Sequence, residues 1–500
     1  MRADTSQEPL IKLSNQTLRD LPGEVRRPHY DRTSLKPGIV HIGLGNFHRA
    51  HQAWYIHRLM QTGQALDWAI IGAGVRPGDA AMRDKLSAQD FLTTLIELDP
   101  QNVAAEVTGV MIDFLPVETG NAPLIGAMGD PAIRIVALTV TEGGYYLGTD
   151  GGPSMSHADF QHDIAHPDAP CTVFGAIVAA LKLRKSGGHA PFTVLSCDNL
   201  QGNGAIARQA VVALARATDA SLADWIEQNG AFPNSMVDCI VPATGPKEIA
   251  LARDFGIEDA APVTHENYRQ WVVEDAFCSG RPPLEDVGVT VTPDVHAYEA
   301  MKLRILNGGH QLLANVGELL GLQTIADSMS HPKVAAFFYE TQNNEITPFV
   351  HSVPGTSPAD YLVLVAKRFA NTAIHDTNRR VAFDGSSRHP GFLLPSVHDA
   401  LAVNAGVTGL ALAEAFWARM CAGTREDGSD IAPNDPNWAR LTGAAQAARN
   451  DPVIWLRQTA LYGDLADTRF AGIFADWLNL IWNAGAEAAL DSFSSMSQTA

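Results

Sequence analysis

The chain has little of what would tie it to a membrane, a nucleic acid or a disulfide framework. It has only five cysteines among 500 residues, Cys171, Cys197, Cys239, Cys278 and Cys421. They are far apart, odd in number and form no CxxC pair. That excludes a zinc-finger pattern and speaks against disulfides, so reduced thiols in a cytoplasmic protein are expected. No run of about 18 apolar residues occurs, so no transmembrane helix is expected. The opening stretch MRADTSQEPL lacks the apolar centre of a secretory signal. Positive charge is scarce, with 36 Lys and Arg against 55 Asp and Glu, a net charge of −19. Such a surface repels nucleic-acid phosphates and anionic membranes, which removes both as partners. The total charge does not exclude an anionic small substrate, because local charge can differ from it. Internal repeats, low-complexity segments and long charge runs are absent as well.

What is present is enough apolar residue, 46%, for sizeable cores. At roughly 100–200 residues per domain, the length implies two or three domains. The first half alternates strand-like and helix-like segments. GIVHIGLG from Gly38, WAIIGAGV from Trp68, IRIVALTV from Ile133 and PFTVLSC from Pro191 are short continuous apolar runs. They suit parallel strands covered on both faces. Helical patterns at Arg49–Met60 and Val173–Lys185 lie between them. This alternation predicts an α/β, doubly wound, Rossmann-like domain. The stretch GRPP from Gly280 marks a boundary. Beyond it strand-like runs become rare, and helices are expected at Val295–Leu320, Lys333–Asn344, Ala359–Ala370, Val407–Cys421, Trp438–Arg449 and Phe470–Leu490. The expected division is a dinucleotide-binding domain over 1–285 and a mostly α-helical substrate domain over 286–500.

The first strand runs into Gly43-Leu44-Gly45-Asn46-Phe47-His48. Glycines let a backbone turn tightly and approach a pyrophosphate, and the following helix offers free N–H groups and the positive end of its dipole. The full fingerprint is GxGxxG, and His48 stands in the third glycine's place, so the motif takes its weight from its position after the first strand. After the second strand comes Val75-Arg76-Pro77-Gly78-Asp79. Asp79 suits two compatible roles, a ribose-binding acid that favours NAD and an N-cap for the helix from Ala80. Arg76 offers a cation for a 2′-phosphate, which keeps NADP open. His48, Arg49 and His51 read as structural residues near the loop, and no pair among them has metal-ligand spacing.

The segment Tyr298–His310 reads YEAMKLRILNGGH. On a regular helix, at ~100° per residue, Lys302, Glu299, His310 and Asn307 fall at about 0°, 60°, 80° and 140°. Leu303 and Leu306 share that arc, so the polar groups sit among apolar ones, as in a pocket. Burial lowers a lysine pKa towards what a general base needs near neutrality. An asparagine can donate to an oxyanion without trapping a proton. Gly308 and Gly309 each weaken the helix by about 1 kcal/mol, which suggests that they make room for a substrate or cofactor. Asn199 follows a strand end in CDNLQ, where ligands of doubly wound sheets bind; a turn or cap role is the alternative.

These stretches, with TEGGYY from Thr141, SCDNLQGNG from Ser196, DTNRR from Asp376 and DGSSRHPGFLLP from Asp384, resemble the polyol-specific long-chain dehydrogenases, the family of mannitol 2-dehydrogenase. The resemblance runs from Gly38 to about Gly485. It implies NAD-dependent oxidation of D-mannitol to D-fructose, and the reverse reduction, without a metal. Lys302 would be the general base, Asn199 and Asn307 the oxyanion hole, His310 the group that orients substrate and Glu299 the gate for proton exit. Gly43, Gly45, Asn46, Phe47 and Asp79 would bind the cofactor, and Asp238 and Arg380 the polyol. A monomer is implied. Asn46 stands where a small residue is common, Gly78 where some members carry a second acid, Cys239 where arginine is frequent and Arg388 where lysine is frequent. The last two leave the substrate open between mannitol, arabinitol or sorbitol and a hexuronate, fructuronate or tagaturonate, reduced by the same chemistry. A catalytically inert dinucleotide sensor is the alternative of another class, and an intact lysine–asparagine–histidine set speaks against it.

Overall fold

The structure is a computed structural model that describes residues 10–99, 101–148 and 151–497. Apart from Leu10, the opening decapeptide from which the absence of a leader was argued lies outside the described residues. The chain divides into two compact units, residues 1–295 and 296–500.

The first unit is built on a five-stranded parallel sheet. In chain order it runs β1 (Pro37–Ile42), α1 (Asn46–Ala50), α2 (Gln52–Gln61), β2 (Ala69–Ala73), α3 (Asp79–Ser87), β3 (Met111–Phe114), α4 (Ala122–Gly129), β4 (Ile135–Leu138), α5 (Ala158–Ala165), α6 (Val173–Ser186), β5 (Thr193–Ser196) and α7 (Asn203–Thr218). The strands lie in the order β3-β2-β1-β4-β5, in register through pairs such as Val40 with Ile71 and with Val136. Order reverses on either side of β1, and ligands of such sheets bind at that switch, beyond the carboxyl ends of the strands.

The apolar runs are explained by burial on both faces. Val40, Ile42, Val136, Leu138 and Val194 pack into one core with α4, α6 and α7. Their neighbours Ile39, Ile70, Ile135, Ala137 and Leu195 pack into another with α2. Four of the five strands are those expected from the sequence, each shorter by a few residues. The helix expected at Arg49–Met60 starts at Asn46 and breaks at His51, whose φ of −118° and ψ of −90° are not helical. Two three-stranded sheets, Val263–Glu266 with Thr93–Leu98 and Val103–Thr108, and Thr290–Thr292 with Gln270–Glu274 and Ser235–Asp238, and a two-stranded pair of Ile11–Lys12 with Ile257–Glu258 complete the unit.

The second unit is helical. Its longest element is the continuous rod His296–Leu319; Thr408–Met420 packs against it, and Arg469–Ala484 packs on that helix in turn. The expected helix Phe470–Leu490 is in fact two, because Gly485 takes a φ of +91°. That left-handed turn suits glycine, and the Glu426 carboxylate accepts the N–H of Ala486 just beyond it.

Candidate functional site

At the switch point of the first unit, a cleft of about 520 Å³ is lined by Gly43, Leu44 and Gly45 after β1, Val75 to Pro77 and Asp79 after β2, and Thr139 to Thr141 and Gly144 after β4. Gly43 has a φ of +90°, and a Cβ there would lie 2.2 Å from the carbonyl oxygen of Thr139. Only glycine fits. A Cβ on Gly45 would meet only the Gly43 carbonyl oxygen, at 4.0 Å.

The rest of the glycine turn points away from the cleft. Asn46 donates to the carbonyl of Pro242 and to Thr244 Oγ1 at 3.0 and 2.8 Å, and accepts from Arg49. Phe47 stacks on His51, 4.9 Å between centroids. Any cofactor contact by these two therefore uses main-chain N–H groups. His48 explains the missing third glycine. That glycine normally lets helix and sheet pack closely. Here the buried His48 ring stacks on His41 of β1 at 3.3 Å, beside a chamber of about 20 Å³ between α2 and Ile39, Ile70, Ile135 and Leu195. Burial holds the His48 pKa well below its ordinary value. Arg49 and His51 are also buried and bond backbone carbonyls, of Ala261 and Gln270, so all three are structural.

Asp79 is not the cap that its position suggested. It is the first residue of α3, and its Oδ2 reaches back to accept the N–H groups of Val75 and Arg76, both at 3.0 Å. A Cβ at position 74 would lie 2.4 Å from that oxygen, so Gly74 is what lets the clasp close. Asp79 itself lines the cleft. A carboxylate oxygen beside a glycine turn fits the ribose of a dinucleotide.

The TEGGYY and SCDN stretches interlock. The Asp198 carboxylate accepts the N–H groups of Val140 and Thr141 at 3.1 and 2.8 Å and the Tyr145 hydroxyl at 2.8 Å. Tyr145 also bonds Ser196 at 2.5 Å. The clasp holds Thr141 at a φ of +66°, strained for a β-branched residue. Burial, with the charge of Glu142, pushes the Asp198 pKa up from 3.8 to about 7. Sequence reasoning passed over Asp198 for its neighbour. Asn199, partly exposed, follows directly beyond β5, and Asp238 is buried at the end of its strand, opposite Gln270.

In the second unit, the rod His296–Leu319 is not a regular α-helix. Lys302–Asn307 forms a π-helical turn, in which the N–H of Gly308 donates to the carbonyl of Leu303. In an α-helix residues five apart are ~140° apart. Where bonds run from i to i+5 they return to the same side. Lys302 and Asn307 therefore share one face, which corrects the angles expected from a regular helix. Lys302 is 6% exposed. Gln342 supports the turn, donating to the Ile305 carbonyl at 2.8 Å. Gly309 leaves room for protein rather than for a ligand, because a Cβ there would lie 2.9 Å from both Gln342 Nε2 and Phe338. Gly308 likewise abuts the Phe392 carbonyl and Leu393.

His310 stacks on Phe369 at 4.2 Å. Burial pushes its pKa down to about 3, against the charge of Asp376 and with those of Arg380, Arg368 and Arg388, so it is a neutral imidazole. Arg380 is gripped by the buried Asp376 through two 2.7 Å bonds, so Asp376 sets its direction. Glu299 is 2% exposed and meets Nδ1 of the exposed His296 at 3.1 Å. Neither Asp376 nor His296 was singled out from sequence, although the i, i+4 and i, i+3 spacings to Arg380 and Glu299 were there to be read.

A doubly wound sheet with a glycine turn and a ribose-type carboxylate at its switch point, joined to a helical unit carrying a buried lysine, has the plan of a nucleotide-dependent dehydrogenase. The comparisons give the family. Residues 37–286 match the mannitol dehydrogenase Rossmann domain and residues 294–482 the mannitol dehydrogenase C-terminal domain, and the chain belongs to the mannitol dehydrogenase family. It is 54% identical to mannitol 2-dehydrogenase of Cereibacter sphaeroides over 94% of this chain and 98% of that one. Mannitol 2-dehydrogenase of Pyricularia oryzae is 39% identical over 97% and 99%. Among solved structures, the Pseudomonas fluorescens mannitol 2-dehydrogenase ternary complex with NAD and D-mannitol superposes with a TM-score of 0.93 at 39% identity, covering 97% of this chain and all of that one. Among the described residues, no helix is long and apolar enough to cross a membrane.

Proposed function

We propose that this protein is an NAD-dependent polyol dehydrogenase that interconverts D-mannitol and D-fructose, with Lys302 as the base and no metal in the chemistry. The observation that carries the reading is the π turn, which sets a buried lysine and an asparagine amide on one face. The 54% identity to a mannitol 2-dehydrogenase and the likeness to one in complex with NAD and D-mannitol support the substrate and cofactor. The first unit is then the cofactor domain and the helical unit the substrate domain.

Gly43, Gly45 and Asp79 would hold NAD, through backbone approach to the pyrophosphate and through the carboxylate to a ribose hydroxyl. NAD, when bound, supplies the hydride acceptor. The protein does the rest. Uncharged Lys302 accepts the hydroxyl proton of the reacting carbinol, and burial favours that uncharged state. The amide of Asn307 donates to the oxygen as it gains negative charge; losing such a donor costs about 3–4 kcal/mol of barrier. Neutral His310 holds a substrate hydroxyl without competing for the proton. Arg380, braced by Asp376, binds further hydroxyls of the polyol. Glu299 passes the proton from Lys302 outward, and His296 receives it at the surface.

The test is polyol oxidation by Lys302→Ala near neutral pH. Turnover should fall by at least about 10²-fold, while NADH binding, read by fluorescence, persists. Near-wild-type turnover would remove the base assignment. In the same assay, EDTA should leave the wild-type rate unchanged, and inactivation that zinc reverses would end the metal-free scheme. A panel of polyols, ketoses and hexuronates fixes the preferred substrate.

A further inference from the structure

Beside the cleft, three groups that the dehydrogenase chemistry does not use come together. Cys171 Sγ, a ring nitrogen of His162 and an Asp163 carboxylate oxygen all lie within 4.8 Å of one another. Cys171 is the exposed one of the five thiols, and both it and Asp159 line the cleft. We propose that Cys171, His162 and Asp163 bind one thiophilic divalent cation, of the zinc or cadmium kind, and that its binding opposes that of the dinucleotide.

The donor set is thiolate, imidazole and carboxylate, which suits such ions. Asp163 is a fixed ligand. It is buried, its Oδ2 accepts the N–H of Thr172 at 3.1 Å and the Thr172 hydroxyl, and its Oδ1 accepts the N–H of Cys171 at 2.6 Å. Gly175 lets it sit there, since a Cβ would lie 2.2 Å from Oδ2. His162 is the adjustable ligand. Its side chain is 45% exposed and its Nδ1 lies 3.2 Å from Asp163 Oδ1, a weak bond that a cation between the two atoms would replace. Metal–ligand bonds of about 2.0–2.3 Å set the ligands roughly 3.5 Å apart, so small rotations of His162 and Cys171 close the set. The fourth position is left to water.

Burial and the Asp163 charge push the Cys171 thiol up to about 12. An unaided thiolate is thus rare here, and the residue is a poor nucleophile. The same carboxylate attracts a cation. On binding, the S–H proton leaves for solvent and the sulfur–metal bond replaces the S–H bond, with no change of oxidation state. The thiol donates to the Asp159 carbonyl at 3.8 Å, so a metal on Sγ, by taking the place of that proton, breaks this bond between the turn before α6 and the start of α5 at the wall of the cleft. The competition rests on the reading of that cleft as the dinucleotide site, whereas the metal binding does not.

Titration with cadmium chloride, followed by the ultraviolet thiolate-to-cadmium absorption, should give one equivalent per chain. Cys171→Ser should abolish the band and His162→Ala should weaken binding at least tenfold. In steady-state assays cadmium should raise the Michaelis constant for NAD several-fold in the wild type while kcat is kept, and should lose this effect in His162→Ala, whose metal-free rate is that of the wild type. Equal binding by wild type and Cys171→Ser overturns the site. Binding that leaves the NAD constant unmoved overturns the opposition. Failure to bind NADH without any metal counts instead against the reading of the cleft.

Discussion

Asp198 carries a charge problem that the structure resolves with three hydrogen bonds to its carboxylate rather than with a counter-ion. Its pKa of about 7, against 3.8 in an unfolded chain, means that the folded state holds a proton which the unfolded state has lost throughout the interval between. Stability then falls as pH rises from about 4 to about 7. The difference of about three units corresponds to about 4 kcal/mol at most. Asp198→Asn removes the titration. Thermal unfolding of the two proteins between pH 4 and 8 should show the wild type losing stability relative to the variant as pH rises, and parallel curves would refute the assignment. Asp198 also illustrates what a residue list misses. Asn199 stood out because an amide after a strand end suggests a site. Asp198 looked like part of the same turn, and its partners, Val140, Thr141 and Tyr145, lie more than fifty positions away in the chain. The ribose carboxylate was legible in Asp79, because its place after the second strand is local. That it closes on Val75 and Arg76 through Gly74 was not.

At the scale of elements, the strands and the glycine turn could be read because burial on both faces writes itself as a continuous apolar run. The rod His296–Leu319 could be read as a helix, but not its pitch. A π turn has no compositional mark, and a regular wheel, though it put Lys302 and Asn307 on one side, held them ~140° apart. The sign present was the five-residue spacing itself, together with a glycine pair unfavourable to an ordinary helix. Gly309 is where that geometry is held, since Gln342, which supports the Ile305 carbonyl, and Phe369, which backs His310, both pack against its bare Cα. Gly309→Ala gains helix propensity worth about 1 kcal/mol. Its Cβ must nevertheless displace Gln342 and Phe338, and overpacking of that kind costs about 1–3 kcal/mol. The variant should be no more stable than the wild type, and its kcat should fall while the Michaelis constant for NAD stays put. A variant both stabilised and fully active would show that the turn does not depend on this contact.

Across the whole chain, the two units solve their cores differently. The sheet faces of the first are mostly apolar, with His41, His48 and Gln52 buried among them. The second threads a polar chain through its centre: the Asn315 amide meets His389 at 3.1 Å, His389 meets Glu414 at 2.8 Å, and Glu414 accepts the Tyr462 hydroxyl at 2.7 Å, which accepts the Trp455 N–H at 2.6 Å. His389 also stacks on Trp417 at 4.0 Å. His389 and Glu414 have no exposed surface. These residues come from five helices, three of which the sequence pattern had not distinguished, so nothing short of the fold could have joined them. Buried polar groups cost little when every partner is present and much when one is removed. Glu414→Ala would strand both the His389 ring and the Tyr462 hydroxyl, at about 1–3 kcal/mol for each unsatisfied group. Glu414→Gln keeps an acceptor for one of them. Chemical denaturation should rank the proteins wild type, then Gln, then Ala, with the alanine variant lower by about 3 kcal/mol or more. An alanine variant equal to the glutamine one would mean that the chain of bonds is incidental and that packing around Trp417 alone holds the helical unit.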